Sequence, residues 1–335
     1  MTKPLCIYHG NCADGFGAAW VVRKALGDIA FFPGFYGQEP PDVTDRDVIM
    51  VDFSYKRPVL ERMAESARVI LILDHHKTAA EDLAGYRRPI WGAQDMQSGI
   101  WAEFDMNRSG AGMAWDFFFP DKPRPRLIDH IEDRDLWRFA LPGSADMHVA
   151  VMSYPLDFSW WDAWGDKDVH GLDGLRTEGM AINRKLKQDV AHVLGVATRQ
   201  MKIGGIEVPV VNLPYMMASE AAGELAESAP FAGTYYDGKD ARHFSLRSRG
   251  EGGADVSAIA KSYGGGGHKN AAGFQVPIGW EGSPRIKTEH VYPPIPVRSC
   301  DWAAWYDGYE EGGPTGSGAT EAEAIRDLIE NHDAP

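Results

Sequence analysis

Three adjacent polar residues, Asp74, His75 and His76, come directly after an apolar run at residues 69–73. Such a run reads as a buried parallel strand. The triplet then emerges at the strand's carboxyl end, where open α/β sheets place their chemistry. Crowding ionisable groups there costs desolvation and order, which a bound metal or phosphate would offset. For the triplet alone, a hydrogen-bonded turn is the plain alternative. The pattern recurs, however. Residues 5–8 form an apolar strand that delivers His9, and Asp14-Gly15 comes five residues later. Residues 48–51 form another that ends on Asp52. Residues 128–137 carry a helical pattern with a dense acidic turn, Glu132-Asp133-Arg134-Asp135. His9, Asp14, Asp52, His75 and an aspartate of the 133–135 pair are therefore expected to converge on one rim of a sheet. Mixed oxygen and imidazole donors suit Mn²⁺, Fe²⁺, Co²⁺ or Mg²⁺. A shared carboxylate is the usual means of holding two such ions ~3.5–4 Å apart for phosphoester hydrolysis.

The elements that must position these residues alternate. Strand and helix succeed one another over the first ~165 residues, which implies parallel βαβ units. Residues 15–26 read as a helix beginning right after Asp14, with amides that favour an anion or a metal-bound carboxylate. Residues 30–35 read as a strand, 57–67 as a helix and 101–104 as a strand. Ser109 N-caps an apolar helix over 110–119. The aromatic-rich segment 158–164 reads as an irregular packing hinge, and 171–199 as a long proline-free helix connecting two domains. Residues 201–280 form a second α/β unit, with strands at 206–211, 231–236 and 242–248 and helices at 219–228 and 256–263. Pro293, Pro294 and Pro296 break regularity. A strand or hairpin at 301–309 and a helix opened by a Thr320–Glu323 capping box complete the chain.

The glycine run Gly264–Gly267 lacks the lysine spacing of a P-loop, and Gly15-x-Gly17 is half a dinucleotide fingerprint that helix packing explains. A flexible loop is the bland reading of the run. Bare backbone also lets N–H groups approach a phosphate or sugar. Arg247 and His268 would add charge-assisted contacts beside Gly265, Gly266 and Gly267.

Taken together, the motifs resemble those of the DHH phosphoesterase family (RecJ-like) with its associated C-terminal domain. His9 to Ala19 is similar to the first family motif, Val51-Asp52-Phe53 to the second, Leu73-Asp74-His75-His76 to the third and Glu132-Asp133-Arg134-Asp135 to the fourth. Ser245-Leu246-Arg247-Ser248, Asp255-Val256-Ser257 and the stretch from Gly264 to Phe274 resemble the associated domain's signature. The resemblance spans roughly residues 1–280. It implies an α/β fold with a parallel-sheet DHH domain at 1–165, a helical connector at 166–200 and a smaller α/β associated domain at 201–284. Residues 285–335 are left as an acidic appendage. It implies two ions, Mn²⁺ first with Mg²⁺ or Co²⁺ as alternatives. Asp52 would bridge them, His9 and Asp14 would bind one each, His75 would join the second, and Asp133 is placed ahead of Asp135 as the fourth-motif ligand. His76 would face the scissile phosphate, with Asp74 orienting a histidine. The pattern departs at Cys12, where family members often carry an aspartate two residues before Asp14. The site then has one carboxylate fewer, a gap for Asn11, Cys12 or a water to fill.

The implied activity is hydrolysis of short oligonucleotides or dinucleotides by a two-metal hydroxide mechanism, with the second domain closing over the substrate. Alternatives are a single-strand exonuclease, a 3′-phosphoadenosine 5′-phosphate phosphatase and, in another class, a metal-dependent nucleotide-binding protein with weak catalysis. Composition bears on the choice. The 335 residues allow two domains with substantial cores. The net charge of −14 disfavours grip on long nucleic acid. Residues 301–335 hold nine acidic and one basic residue, so the rest of the chain is only mildly acidic. No apolar stretch approaches the ~20 residues of a membrane span. Three cysteines without metal spacing fit a reducing cytoplasm. The apolar connector helix is compatible with a homodimer.

Overall fold

Five parallel strands build the first of two compact units in the computed structural model, and their alternating side chains fill a core on each face. The structure describes residues 2–89, 98–168, 170–250, 252–282, 286–291, 298–307, 309 and 312–332. The units comprise residues 1–185 and 186–335. In the first, β1 (Leu5–His9), α1 (Ala13–Leu26), β2 (Ala30–Gly34), β3 (Asp47–Val51), α2 (Arg57–Ala64), β4 (Val69–Asp74), α3 (Lys77–Asp82) and β5 (Gly99–Phe104) alternate. The sheet order is β2-β1-β3-β4-β5, and every pairing is parallel. Cys6, Ile49, Val51, Leu71 and Leu73 pack against α1 and a helical layer on one face. Leu5, Ile7, Val48, Met50, Ile70 and Ile72 meet Leu60 and Met63 of α2 on the other. Burial of both faces explains why these strands read as continuous apolar runs rather than alternating ones.

The helical layer continues with α4 (Gly110–Phe118), α5 (Arg126–Asp135), α6 (Ser144–Ser153) and α7 (Phe158–Gly165). Ser109 caps α4, its Oγ accepting the Gly112 N–H at 3.1 Å. The segment expected to be an irregular hinge is helical instead. Asp157 caps α7 by accepting the Ser159 N–H at 2.8 Å. Trp161 and Trp164, one turn apart, are buried in the core, while Trp160 is 40% exposed. Tertiary burial at i, i+3 spacing outweighs the modest helix propensity of a tryptophan-rich run. The helices α3 and α6 carry no clear sequence signal and emerge only in the structure.

The long helix α8 (Asp173–Ala197) carries the chain into the second unit. Next come β6 (Arg199–Ile203), β7 (Ile206–Asn212), α9 (Ala218–Ala226), β8 (Ala232–Asp237), β9 (Arg242–Arg247), α10 (Val256–Lys261), β10 (Gly266–His268) and β11 (Ala271–Val276). They form a mixed sheet of order β10-β11-β9-β8-β7-β6. A smaller antiparallel sheet of β12 (Ile286–His290), β13 (Trp302–Tyr306) and β14 (Thr315–Gly318) is covered by α11 (Glu321–Asn331). Thr320 caps α11 through the Glu323 N–H, but Glu323 Oε2 reaches back to the Ala319 N–H rather than closing the box on Thr320. Ala304, Tyr306, Ile325 and Leu328 share one core with Met201, Phe244 and Phe274. The segment read as an appendage thus contributes to the second unit's interior. Pro293, Pro294 and Pro296 lie outside the described residues. Among the described residues no helix is long and apolar enough to cross a membrane.

The assignment of α7 to the core has a measurable consequence. Trp161→Ala should destabilise the protein by roughly 3–5 kcal/mol in urea denaturation, and Trp160→Ala by under about 1 kcal/mol. Equal effects would contradict the packing described.

Candidate metal centre

The chain passes from β1 to β2 on one side and to β3 on the other, so a crevice opens beyond the carboxyl ends of β1 and β3. Open sheets bind ligands at such switch points. His9 is the last residue of β1, and Asp52 comes immediately after β3. Asp52 holds a left-handed backbone, φ 54°, an uncommon conformation that aspartate tolerates better than most residues. Its N–H still donates to the Leu73 carbonyl at 2.9 Å, so β4 fixes the bend. The residue is 1% exposed and faces two histidines with its two oxygens. Oδ1 lies 3.0 Å from His75 Nε2, and Oδ2 lies 3.5 Å from His9 Nδ1. His75 Nε2 is also 3.7 Å from Asp14 Oδ2 and 3.5 Å from Asp135 Oδ2.

Asp14 sits in the first turn of α1 and is oriented by another helix. The Gly110 and Ala111 N–H groups, in the first turn of α4, donate to its two oxygens at 2.6 and 3.0 Å. A helix amino terminus favours a carboxylate there. Gly110 is required sterically, because a Cβ would lie 2.4 Å from Asp52 Cβ. Two carboxylates are thus set by one glycine.

The fourth-motif aspartates separate cleanly, and not in the order expected. Asp133 turns away from the cluster. Its carboxylate accepts the Ala140 N–H at 2.8 Å, the Leu141 N–H at 3.0 Å and the Ser144 hydroxyl at 2.6 Å. Its carbonyl accepts the N–H groups of Arg138 and Phe139. These bonds hold a loop in which Trp137 and Phe139 both have positive φ, 55° and 49°. Asp135, two residues further round the helix end, is the one beside His75. Sequence alone could not tell them apart, since both stand in the same acidic turn.

Asp74 is fully buried. It accepts the Ser54 hydroxyl at 2.9 Å and the His75 N–H at 2.8 Å, and it lies 2.7 Å from His76 Nδ1. The His76 ring stands 5.8 Å from that of His9, and Tyr36 borders both at 6.0 and 5.5 Å. Nothing in the sequence singled out Tyr36; its position just beyond β2, on the same rim, is the one available signal.

Electrostatically the cluster is strained as it stands. Burial pushes the Asp14 carboxyl up, and the charges of Asp52 and Asp135 push it further. Burial likewise raises Asp135, against the pull of His75. For His75, burial is outweighed by the Asp52 hydrogen bond and by the charges of Asp135, Asp52 and Asp14, so its pKa is pushed up to about 10. Asp52 is held low despite burial, because His75 and His9 face it. Its Oδ2 is buried and accepts no hydrogen bond among the described residues. Ligand atoms of Asp14, Asp52 and His75 lie within 4.8 Å of one another, as do those of His9, Cys12 and Asp52. Concentrated carboxylate and imidazole donors around an unsatisfied buried oxygen fit divalent cations.

No protein-family model matches the chain. One solved structure, a DHH domain described as a member of the s1p family of ribosomal proteins, superposes with a TM-score of 0.51. Its sequence identity is 15%, with 82% of each chain covered. The chain has the DHH-domain fold. A pGpG-specific phosphodiesterase, PggH from Vibrio cholerae, is looser in likeness, with a TM-score of 0.45 at 15% identity over 82% of this chain and 94% of that one. In sequence, the chain is 28% identical over 296 residues to the uncharacterized protein R106 of Acanthamoeba polyphaga mimivirus. That match covers 80% of this chain and 66% of the mimiviral protein's length.

Within this DHH-fold chain, the remaining candidate residues belong to the second unit. His268 pairs with Ala271, and Ala271 pairs with Arg247, so the three stand in one row across β10, β11 and β9. Directly opposed residues share a face of the sheet. Arg247 donates to the Ser219 hydroxyl and to the Leu246 carbonyl, each at 2.8 Å. Gly266 and Gly267 form the edge strand β10 itself, and Gly265 precedes it. A Cβ on Gly265 would meet the Gly273 carbonyl at 2.1 Å. One on Gly267 would meet the Ala271 carbonyl at 2.6 Å. Close packing on β11 thus accounts for these two glycines.

The separation of Asp133 from Asp135 predicts opposite phenotypes. Asp135→Ala should lower metal stoichiometry or affinity in calorimetry and leave the fold intact. Asp133→Ala should cost roughly 2–3 kcal/mol of stability, since it strands the buried Ser144 hydroxyl and two part-buried loop N–H groups, while metal stoichiometry is kept. A metal defect confined to Asp133→Ala would reverse the assignment.

Proposed function

We propose that the protein is a divalent-metal-dependent phosphoesterase of the RecJ-like DHH type, acting on short oligonucleotides or dinucleotides. The observation that carries this reading is Asp52. One buried carboxylate joins two donor groups: His75 and Asp14 in one, with Oδ1 3.0 Å from His75 Nε2, and His9 and Cys12 in the other, with Oδ2 3.5 Å from His9 Nδ1. Asp135 would complete the first group. Bound there, two ions such as Mn²⁺ or Mg²⁺ would supply a nucleophile at neutral pH and Lewis-acid stabilisation of the phosphoryl oxygens.

The chain's own residues set up the rest. Asp74 accepts from His76 Nδ1, which leaves Nε2 as the outward nitrogen. Burial works against a charged His76, but the Asp74 charge and hydrogen bond outweigh it and raise its pKa. An imidazolium in that orientation donates to a phosphate oxygen and stabilises charge developing on it. In the second unit, Arg247 and His268 are proposed to hold the substrate's remote groups, beside Gly265, Gly266 and Gly267. The acidic balance of the chain supports a short substrate over a long polyanion.

Chelation with EDTA should abolish hydrolysis of 5′-labelled two- to ten-nucleotide RNAs and DNAs, and Mn²⁺ should restore it. Asp52→Ala should lose metal and activity together. His76→Ala should keep its metal and lose roughly 10²–10³-fold in turnover. Full turnover in metal-free buffer, or equal metal loss in both variants, would sink the reading.

A further inference from the structure

The donor group on the His9 side of Asp52 contains a cysteine. Cys12 Sγ, a ring nitrogen of His9 and an Asp52 oxygen lie within 4.8 Å of one another. The turn that brings the thiol in is made by Asn11, whose positive φ of 55° reverses the chain after β1. Asn11 itself is exposed. The independent sign of a missing ligand is Asp52 Oδ2, which is buried, turned toward His9 with Nδ1 3.5 Å away, and without a hydrogen bond among the described residues. Cys6 is buried in the sheet core, and Cys300 belongs to the second unit.

Resting on the two-ion reading above, we propose that Cys12 is a thiolate ligand of the ion held by His9 and Asp52. The two positions are then chemically unequal. The one on the His75 side is all oxygen and imidazole, suited to Mn²⁺ or Mg²⁺. The one on the His9 side combines nitrogen, sulfur and oxygen and selects borderline ions such as Co²⁺, Zn²⁺ or Fe²⁺ over Mg²⁺. Coordination breaks the S–H bond, forms a sulfur–metal bond and releases the proton to solvent.

Cobalt titration of the metal-free protein tests this without recourse to activity. Calorimetry reports binding, and near-ultraviolet absorption reports sulfur-to-cobalt charge transfer. The wild type should bind Co²⁺ and show the charge-transfer band. Cys12→Ser should lose the band. Cys12→Asp should bind Co²⁺ without the band and lower the Co²⁺-over-Mg²⁺ preference at least about tenfold. Cys300→Ser should keep the band. Cobalt binding without the band in the wild type, or a band that survives Cys12→Ser, overturns the thiolate assignment and leaves the two-ion reading standing. Failure of the wild type to bind Co²⁺, Mn²⁺ or Mg²⁺ at all overturns both.

Discussion

Negative charge gathered around one buried imidazole is the constraint to which the first unit answers. Asp14, Asp52 and Asp135 all approach His75 Nε2 within 3.7 Å. Such a group is unfavourable in a core unless compensated. The fold supplies partial compensation: helix-terminal amides for Asp14, imidazoles for Asp52, and the charges of His75, His76 and Arg134 for Asp135, which sits at the unfavourable carboxyl end of α5. What is left over is the unsatisfied oxygen of Asp52, and a cation is the natural complement to it. The sheet topology answers the same need, since one crevice must receive side chains from β1, β3 and β4 at once.

The supports are shared rather than duplicated. Gly110 both donates to Asp14 and leaves room for Asp52, so α4 is packed to the site through its first residue. Glu132 accepts the Ser109 N–H at 3.0 Å and pairs with Arg124 at 2.9 Å, which ties α5 to the start of α4. Asp74 serves the loop, through Ser54, and the catalytic candidate His76 with the same carboxylate. Ligand geometry held by such outer partners is what keeps a metal site selective.

Much of the first unit is legible in the sequence because strands announce themselves when buried on both faces. The runs before His9, Asp52 and Asp74 mark the strand ends, and those ends mark the site. Legibility fails where local pattern and tertiary role diverge. The run around Trp161 looks irregular by propensity and is helical by burial. Asp133 and Asp135 are indistinguishable by type and nearly so by position, and only the hydrogen bonds of Ala140, Leu141 and Ser144 separate them. The glycines before His268 read as an open anion loop, whereas contact with β11 explains two of them. Tyr36 has no motif to mark it, being brought to His9 and His76 by the sheet's order alone.

The carboxyl end of α5 has a consequence for how such a chain can change over time. Each residue added to a helix turns the next side chain by about 100°. Asp133 and Asp135 send their carboxylates to different tasks from the same terminus, one to the backbone of the next loop and one to the crevice. A single-residue insertion or deletion between them would break the relation between those two directions, and one task or the other would be lost. The spacing of the two aspartates therefore behaves as a fixed phase, which a change in length would upset even with both residues kept.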